Sequence, residues 1–149
     1  MAVRTIKDLE KKIQKSIKSA LENEVFETIQ KEQLSQIQEK VYNAYNPTTM
    51  VYERRYSNGG LMDEGNIKGN VKAGVLTVEN KTPPNPEARD GATIDKNLIE
   101  VIETGNGYDY SPNPGARPFI DTTKQALEAS NAIVEALKDG LKKQGAEVI

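Results

Sequence analysis

Three residue types that carry much of protein chemistry are absent from this chain of 149 residues: cysteine, histidine and tryptophan. Without cysteine the chain has neither disulfide bonds nor a thiolate nucleophile. Without histidine it has no Ser-His or Cys-His nucleophile system, and it lacks the commonest side-chain ligand of metal ions. The enzyme alternative that stays open is one that uses carboxylates alone.

Long apolar segments are absent as well. No stretch approaches the 18 consecutive apolar residues of a membrane span. The N-terminal sequence MAVRTIKDLE has no apolar core of the kind found in secretion signals. We therefore expect a soluble protein that is made in the cytoplasm and has no membrane partner.

Hydrophobic residues are scarce for a chain of this length, at 36%, and the mean hydropathy is −0.65. The length predicts a single domain, residues 1–149, with a helical block (1–45), strands and loops (46–116) and a C-terminal helix (117–149). Two explanations for the polar composition stay open. Much of the chain is a solvated helix, or its loops become ordered only against partners.

Charge is nearly balanced, at a net −2, which gives no overall basic field for nucleic acid. The distribution is uneven, because the first 18 residues hold six Lys or Arg and only two acidic residues. This run is interpreted as the solvated face of a helix or as a weak electrostatic contact with an acidic partner.

Apolar residues in the first block recur mostly every four positions, which predicts helix over most of residues 5–44. We expect Ile13, Ile17, Leu21 and Val25 to be buried on one face. Some 40 residues of helix would extend about 60 Å. The helix therefore either breaks near residues 30–36, where the spacing slips, or projects towards neighbouring subunits.

The middle block predicts one strand over residues 71–80, with Val75, Thr77 and Glu79 on one side. A short strand is also possible over residues 50–56, and residues 96–104 suit either a strand or a short helix. Prolines and glycines predict long loops between these segments.

The last block predicts one helix, roughly residues 118–144, with Pro118 at its first position and Gly145 just past its end. The fold class is therefore α+β: a long N-terminal helix, a small, mostly antiparallel curved sheet with long loops, and a C-terminal helix packed on the sheet. Arg117 is expected to bond Glu103, and Phe119 either docks in the core or is an exposed anchor for another subunit.

Acidic and glycine-rich segments offer weak alternatives. Glu100 with Glu103, or Asp63 with Glu64, could form catalytic pairs, but neighbouring carboxylates are usually just solvated. The glycines of residues 59–69 are too dispersed for a phosphate loop, and residues 63–66 lack the order of a calcium loop. We expect no enzyme activity, no cofactor, no metal and no small-molecule substrate.

Tyrosine and arginine are concentrated in one segment, residues 42–56, which holds four of the six Tyr and two of the five Arg. These types anchor protein interfaces, although they could also contact nucleic acid or cap the core. The candidate interface residues are Tyr45, Tyr52, Arg54, Arg55, Tyr56, Leu61, Arg117 and Phe119.

Three groups of residues resemble a known family in their order along residues 41–145. They are Tyr45-Asn46-Pro47 with Tyr52-Glu53-Arg54-Arg55 and Gly60-Leu61, then Val101-Ile102-Glu103-Thr104-Gly105 with Tyr108-Asp109, and finally Arg117-Pro118-Phe119 before a helix. The order is similar to that of the neck and tail-completion (tail-component) family of long-tailed phages and prophages of Gram-positive hosts. A P-V-x-T-G-x-L-R segment of the broad family is missing, and residues 46–61 occupy its place.

That resemblance implies a virion structural protein that forms a homo-oligomeric ring, expected to be a hexamer, at the head-tail junction. Its partners would be copies of itself and other neck and tail proteins, with DNA only passing through the channel. The alternative is a small regulatory protein that binds DNA or protein, with the basic N-terminal helix as its arm.

Overall fold

The computed structural model describes residues 2–44, 59–84, 97–108 and 113–148. Their elements, in chain order, are helix α1 Ile6–Ala20, a π-helical turn Leu21–Val25, helix α2 Phe26–Ile37, a second π-helical turn Gln38–Tyr42, a 3₁₀ turn Glu64–Asn66, strands β1 Ile67–Lys72 and β2 Val75–Asn80, and helices α3 Leu98–Thr104, α4 Phe119–Ala129 and α5 Ala132–Lys143. The α+β class predicted from the sequence is confirmed.

A single long helix runs from Ile6 to Tyr42, because both π turns continue the helical backbone. It begins at Thr5, whose hydroxyl accepts a hydrogen bond from the N–H of Asp8 at 3.1 Å. The predicted helix is confirmed. Of the two alternatives for this helix, the break near residues 30–36 is wrong, since that segment is regular α-helix.

Strands β1 and β2 form an antiparallel hairpin in which Lys72 pairs with Val75. The prediction of one strand over residues 71–80 is therefore wrong at its start. The chain reverses at Ala73 and Gly74, both with positive φ (51° and 77°), as a two-residue hairpin turn requires. The predicted alternation in β2 is confirmed, because Val75, Thr77 and Glu79 are exposed while the residues between them are half-buried.

Helix α3 resolves the ambiguity of residues 96–104. The Asn97 side chain accepts hydrogen bonds from the N–H groups of Ile99 and Glu100 and so caps the helix. Gly105, at φ 75°, ends it in the left-handed conformation. A Cβ at Gly105 would lie 2.4 Å from the backbone nitrogen of Ala116, so this turn has no room for a side chain.

The C-terminal helix is divided in two, which corrects the single helix predicted over residues 118–144. Ser130 is extended (φ −112°, ψ 159°) and separates α4 from α5. One detail of packing also differs from the prediction. Helices α4 and α5 lie mainly on the long helix, α4 against α2 and α5 against α1 and the first π turn, and the hairpin contacts the long helix separately.

The core lies at the C-terminal end of the long helix. Its buried residues come from the last turns of that helix, the loop before β1, and helices α3 and α4: Ile37, Val41, Tyr42, Leu61, Ile102 and Phe119. The hairpin is attached farther back along the helix, where Gly69 meets the ring of Phe26 and Asn80 donates to Gln33 at 3.0 Å. The first three turns of α1 therefore lie away from the core.

Candidate interaction site

The most accessible apolar surface of the described chain lies on the first turns of α1. Ile6 is 79% exposed, Leu9 45% and Ile13 49%. Because these residues are spaced three and four apart, they share one face of the helix. We call residues 6–15 the arm and this face the arm face.

Burial increases along the same face towards the C-terminus. Ile17 and Leu21 are half-buried, and Val25 is buried. The sequence predicted that Ile13, Ile17, Leu21 and Val25 are all buried. This prediction is wrong for Ile13, which is exposed, and is confirmed in full only for Val25. A periodic stripe shows that a face is apolar, but a neighbouring element must be present to cover it.

Helix α5 provides that cover and ends too early to reach the arm. It runs antiparallel to α1, with Gly140 against Ala20 and the Gln144 side chain donating to Ser19 at 3.1 Å. There the helix terminates in a Schellman motif: Gly145, at φ 88°, bonds the Lys142 carbonyl and the next N–H bonds the Leu141 carbonyl. The ten residues of the arm lie before this crossing and correspond to about 15 Å of helix.

The opposite face of α1 is basic. At 100° per residue, Lys7, Lys11, Lys15 and Lys18 fall more than about 100° from the centre of the arm face. Lys18 forms an i,i+4 ion pair with Glu22 at 3.6 Å. The arm is therefore an amphipathic helix with an aliphatic face and a cationic back.

Three of the candidate interface residues from the sequence lie in the described part of the chain, and two of them are buried. Leu61 (4% exposed) and Phe119 (0%) lie in the core, so they are not available to a partner. For Phe119 the core alternative is confirmed and the exposed anchor is wrong. The other candidates except Arg117 lie outside the described residues: Tyr45, Tyr52, Arg54, Arg55 and Tyr56.

Arg117 joins three parts of the chain. Its N–H donates to the carbonyl of Ile102 at 2.8 Å, and its guanidinium donates to the Tyr108 hydroxyl at 2.7 Å and, at the longer distance of 3.5 Å, to the carbonyl of Val41. These bonds join the loop before α4 to α3 and to the end of the long helix.

Glu103, predicted to bond Arg117, instead caps helix α4. Its carboxylate oxygens accept hydrogen bonds from the N–H groups of Ile120 at 2.9 Å and Asp121 at 2.8 Å. A carboxylate is favoured there because the first N–H groups of a helix have no partner within it and carry partial positive charge. The prediction failed because the helix N-terminus is a better-matched partner for this side chain.

Asp63, considered above for metal binding and acid–base chemistry, also accepts hydrogen bonds from the backbone. Asp63 accepts from the N–H groups of Gly59 and Gly65 at 2.8 and 2.9 Å, which shapes the turn before β1. The part of the chain that the structure describes contains no group of three or more acidic side chains arranged to hold a metal ion. Nor does any helix in these described ranges have the length and apolarity to cross a membrane.

An open groove of about 380 Å³ lies between the long helix and α5. Three carboxylates line it together with three lysines: Glu24, Glu27, Asp139, Lys31, Lys142 and Lys143. The Lys143 ammonium lies 3.1 Å from the Glu24 carboxylate and joins the two walls. The groove thus has balanced charge, and charged side chains form most of its lining, unlike that of most small-molecule sites.

The fold and its surface define a class: a small α+β protein whose long helix presents an uncovered aliphatic face. The chain belongs to the YomN family, whose model matches residues 5–143. It is 30% identical to the SPbeta prophage-derived uncharacterized protein YomN of Bacillus subtilis (strain 168), over 150 residues that cover 95% of this chain and 96% of that protein. No solved structure matches it significantly. The family is thus one of phage and prophage proteins.

Proposed function

We propose that this protein is a non-enzymatic structural subunit of a phage particle, and that it forms a homo-oligomeric ring at the head-tail junction around the DNA channel. Membership of a family with a prophage-derived relative supports a phage role. The resemblance of residues 41–145 to neck and tail-completion proteins supports the position in the particle.

The observation that carries the proposal is the arm face. Ile6, Leu9 and Ile13 leave a continuous aliphatic surface exposed on a helix. Single exposed apolar residues are common, but a contiguous patch on a defined element usually marks a protein interface. A subunit that is completed by its neighbours would have such a surface, together with a polar composition.

Purified particles provide the test. Induction of a lysogen that encodes this protein should yield particles that contain it, detected by mass spectrometry in proportion to other neck components. Deletion of its gene should leave separate heads and tails in electron micrographs. The proposal fails if the protein is absent from particles in which capsid and tail proteins are detected, and deletion leaves complete particles.

A regulator that binds DNA through the basic N-terminal helix is the second candidate, and the cationic back of α1 favours it. Lys7, Lys11 and Lys15 all lie on this side. Phosphate contacts release counterions, so binding to duplex DNA should weaken steeply with salt. A Lys7/Lys11/Lys15→Gln variant should then lose most of the salt dependence. Structural ring subunits would show no tight duplex binding at physiological salt.

A further inference from the structure

We propose that the β-hairpin of one copy pairs edge to edge with the hairpin of a second copy, with strand β2 of one copy beside strand β1 of the next. This inference rests on the proposed ring and specifies the contact between its subunits. Because the two strands that meet are different, each copy keeps one free edge for another neighbour. Such a head-to-tail contact can repeat around a closed ring.

The direction of the backbone groups in the hairpin follows from a hydrogen bond at its base. The N–H of Lys81 donates to the carbonyl of Asn66 at 2.7 Å, and this pair continues the register of the two strands. In an antiparallel ladder, pairs that exchange hydrogen bonds alternate with pairs that do not. Every second residue therefore directs its N–H and C=O groups away from the partner strand. These residues include Gly69 and Val71 on β1 and Leu76 and Val78 on β2.

Both edges of the hairpin are open within the part of the chain that the structure describes. The sheet there consists of β1 and β2 alone, and the outward N–H and C=O groups of these four residues make no hydrogen bond with any described residue. An unpaired strand edge is a template for another strand, and a hairpin of only two strands gains stability from a third. A strand from a second copy would bond the outward groups.

Side chains on the exposed face make the two edges chemically different. Strand β1 presents Lys68 and Lys72 there, whereas β2 presents Thr77 and Glu79 and contains no lysine. Lysine on an edge strand opposes pairing with a like edge, so contact between two β1 edges is disfavoured. Contact between two β2 edges would bring only acidic charges together. Since these charges lie on the strands that meet, β2 of one copy beside β1 of the next is the favoured pairing.

Copies placed side by side in the same orientation make these two strands antiparallel, as they are within the hairpin. The hairpin's own register, repeated between copies, pairs all six residues of β2 with all six of β1. Glu79 then lies opposite Lys68 of the next copy, and Thr77 lies opposite Asn70 of the next copy. Glu79 also forms an ion pair with Lys81 at 3.4 Å, but both side chains are more than half exposed. That pair therefore holds the carboxylate only weakly.

The absence of cysteine from the sequence allows a test in which a disulfide reports the contact. Across the proposed contact, Thr77 and Asn70 form a pair without mutual hydrogen bonds, whose Cα atoms lie about 4.5 Å apart. A disulfide can span this distance. Thr77→Cys protein is mixed with Asn70→Cys protein, one of them enlarged by a tag, and the mixture is mildly oxidised.

Each molecule in this mixture has a single cysteine, so every disulfide joins two copies. The tag separates mixed pairs from like pairs by mass. In the control mixture Glu128→Cys, at an exposed position of α4, replaces Asn70→Cys.

We expect mixed disulfides between Thr77→Cys and Asn70→Cys at several times the yield of the control mixture and of either variant alone. A yield no higher than in the control would overturn the proposal. An excess of like pairs would overturn it too, since Thr77→Cys alone reports β2 beside β2 and Asn70→Cys alone reports β1 beside β1. If particles contain the protein but mixed disulfides are absent, the edge pairing is wrong and the proposed function still holds.

A charge change on β2 gives an independent measurement. Thr77→Lys places a lysine opposite Asn70 and beside Lys68 and Lys72 of the next copy, so association measured by sedimentation velocity should weaken about two- to fivefold. Thr77→Glu is the matched control, since it also replaces a β-branched residue with a long charged one, and it should associate at least as strongly as the wild type. Melting temperatures of both variants report whether the fold is kept. Equal weakening in the two variants would contradict the pairing of β2 with the lysine-bearing edge, and so would a wild-type chain that stays monomeric at every concentration tested.

Discussion

Gly140 lies where α5 crosses α1, and replacing it with alanine tests how closely these helices pack. A Cβ at this position would lie 2.6 Å from the Cβ of Ala20, 2.9 Å from its Cα and 2.6 Å from a carboxylate oxygen of Glu24. The Glu24 side chain can rotate away. The contacts with Ala20 involve the backbone of the long helix, so relief there requires the helices to separate.

Two opposing terms set the size of the effect. Alanine is favoured over glycine within a helix by about 1 kcal/mol. Carbon atoms normally approach to about 3.5–4.0 Å, so the helices must move apart by about 1 Å, and such overpacking costs about 1–3 kcal/mol. Separation also lengthens the Lys143–Glu24 ion pair and the Gln144–Ser19 hydrogen bond. We expect a net loss of about 1–2 kcal/mol.

Urea denaturation, followed by circular dichroism, measures the free energy of unfolding of Gly140→Ala. The compensating variant is Ala20→Gly with Gly140→Ala, which moves the space for a side chain from one helix to the other. The double variant should be more stable than the sum of the two single effects, because the 2.6 Å contact with the Cβ of Ala20 is removed, while the 2.9 Å approach to the Cα of residue 20 remains. A Gly140→Ala protein that is stabilised by the full helix-propensity value would refute the close crossing.

Three further predictions concern the core and the ends of the helices. Phe119→Ala should lower the free energy of unfolding by about 3–5 kcal/mol, because the ring is fully buried. Phe119→Leu should lower the free energy of unfolding much less, and equal losses in the two variants would argue against a packing role. Glu103→Ala should lower the free energy of unfolding by about 1–2 kcal/mol, since two N–H groups of α4 lose their acceptor. The first amides of α4 should then exchange their hydrogens faster, and unchanged exchange would contradict the cap. A backbone hydrogen bond at Glu24 itself, and the Lys143 ammonium, lower the pKa of the Glu24 carboxyl from its ordinary value of 4.5. The ionised carboxylate therefore stabilises the fold above pH 4.5, and this contribution is lost as the pH falls through the lowered pKa. Lys143→Met should make stability less dependent on pH below 4.5, and a curve of unchanged shape would show that the pair does not contribute.

The elements that could be predicted from the sequence are those in which local pattern and tertiary environment agree. The long helix has a stripe at helical spacing without proline or glycine, and it forms over its whole length. The hairpin turn was missed because Ala73 occupies a positive-φ position where Asn, Asp or Gly is usual. The break at Ser130 was missed because neither proline nor glycine marks it. Asn97, a favourable N-cap, is the signal that could have identified α3 as a helix.

Most of the other features that could not be predicted depend on contacts between residues far apart in the sequence. The carboxylate of Glu103 lies 17 residues before one N–H group that it caps, and no local pattern relates the two. Leu61 and Phe119 were candidate interface residues, but they are buried because the end of the long helix, α3 and α4 converge on them. Sequence can show that such residues prefer to be covered, whereas the fold determines whether the cover is internal or external.

The arm shows this distinction within a single helix. Aliphatic residues spaced three and four apart continue from Ile6 to Ile29, yet the face is exposed at Ile13 and buried at Ala20. The difference arises because α5 ends at the left-handed turn of Gly145, beside Ser19. The extent of the exposed surface is therefore set by a helix end more than 120 residues away in the sequence. A longer α5 would cover the arm face and remove the surface on which the proposed function rests.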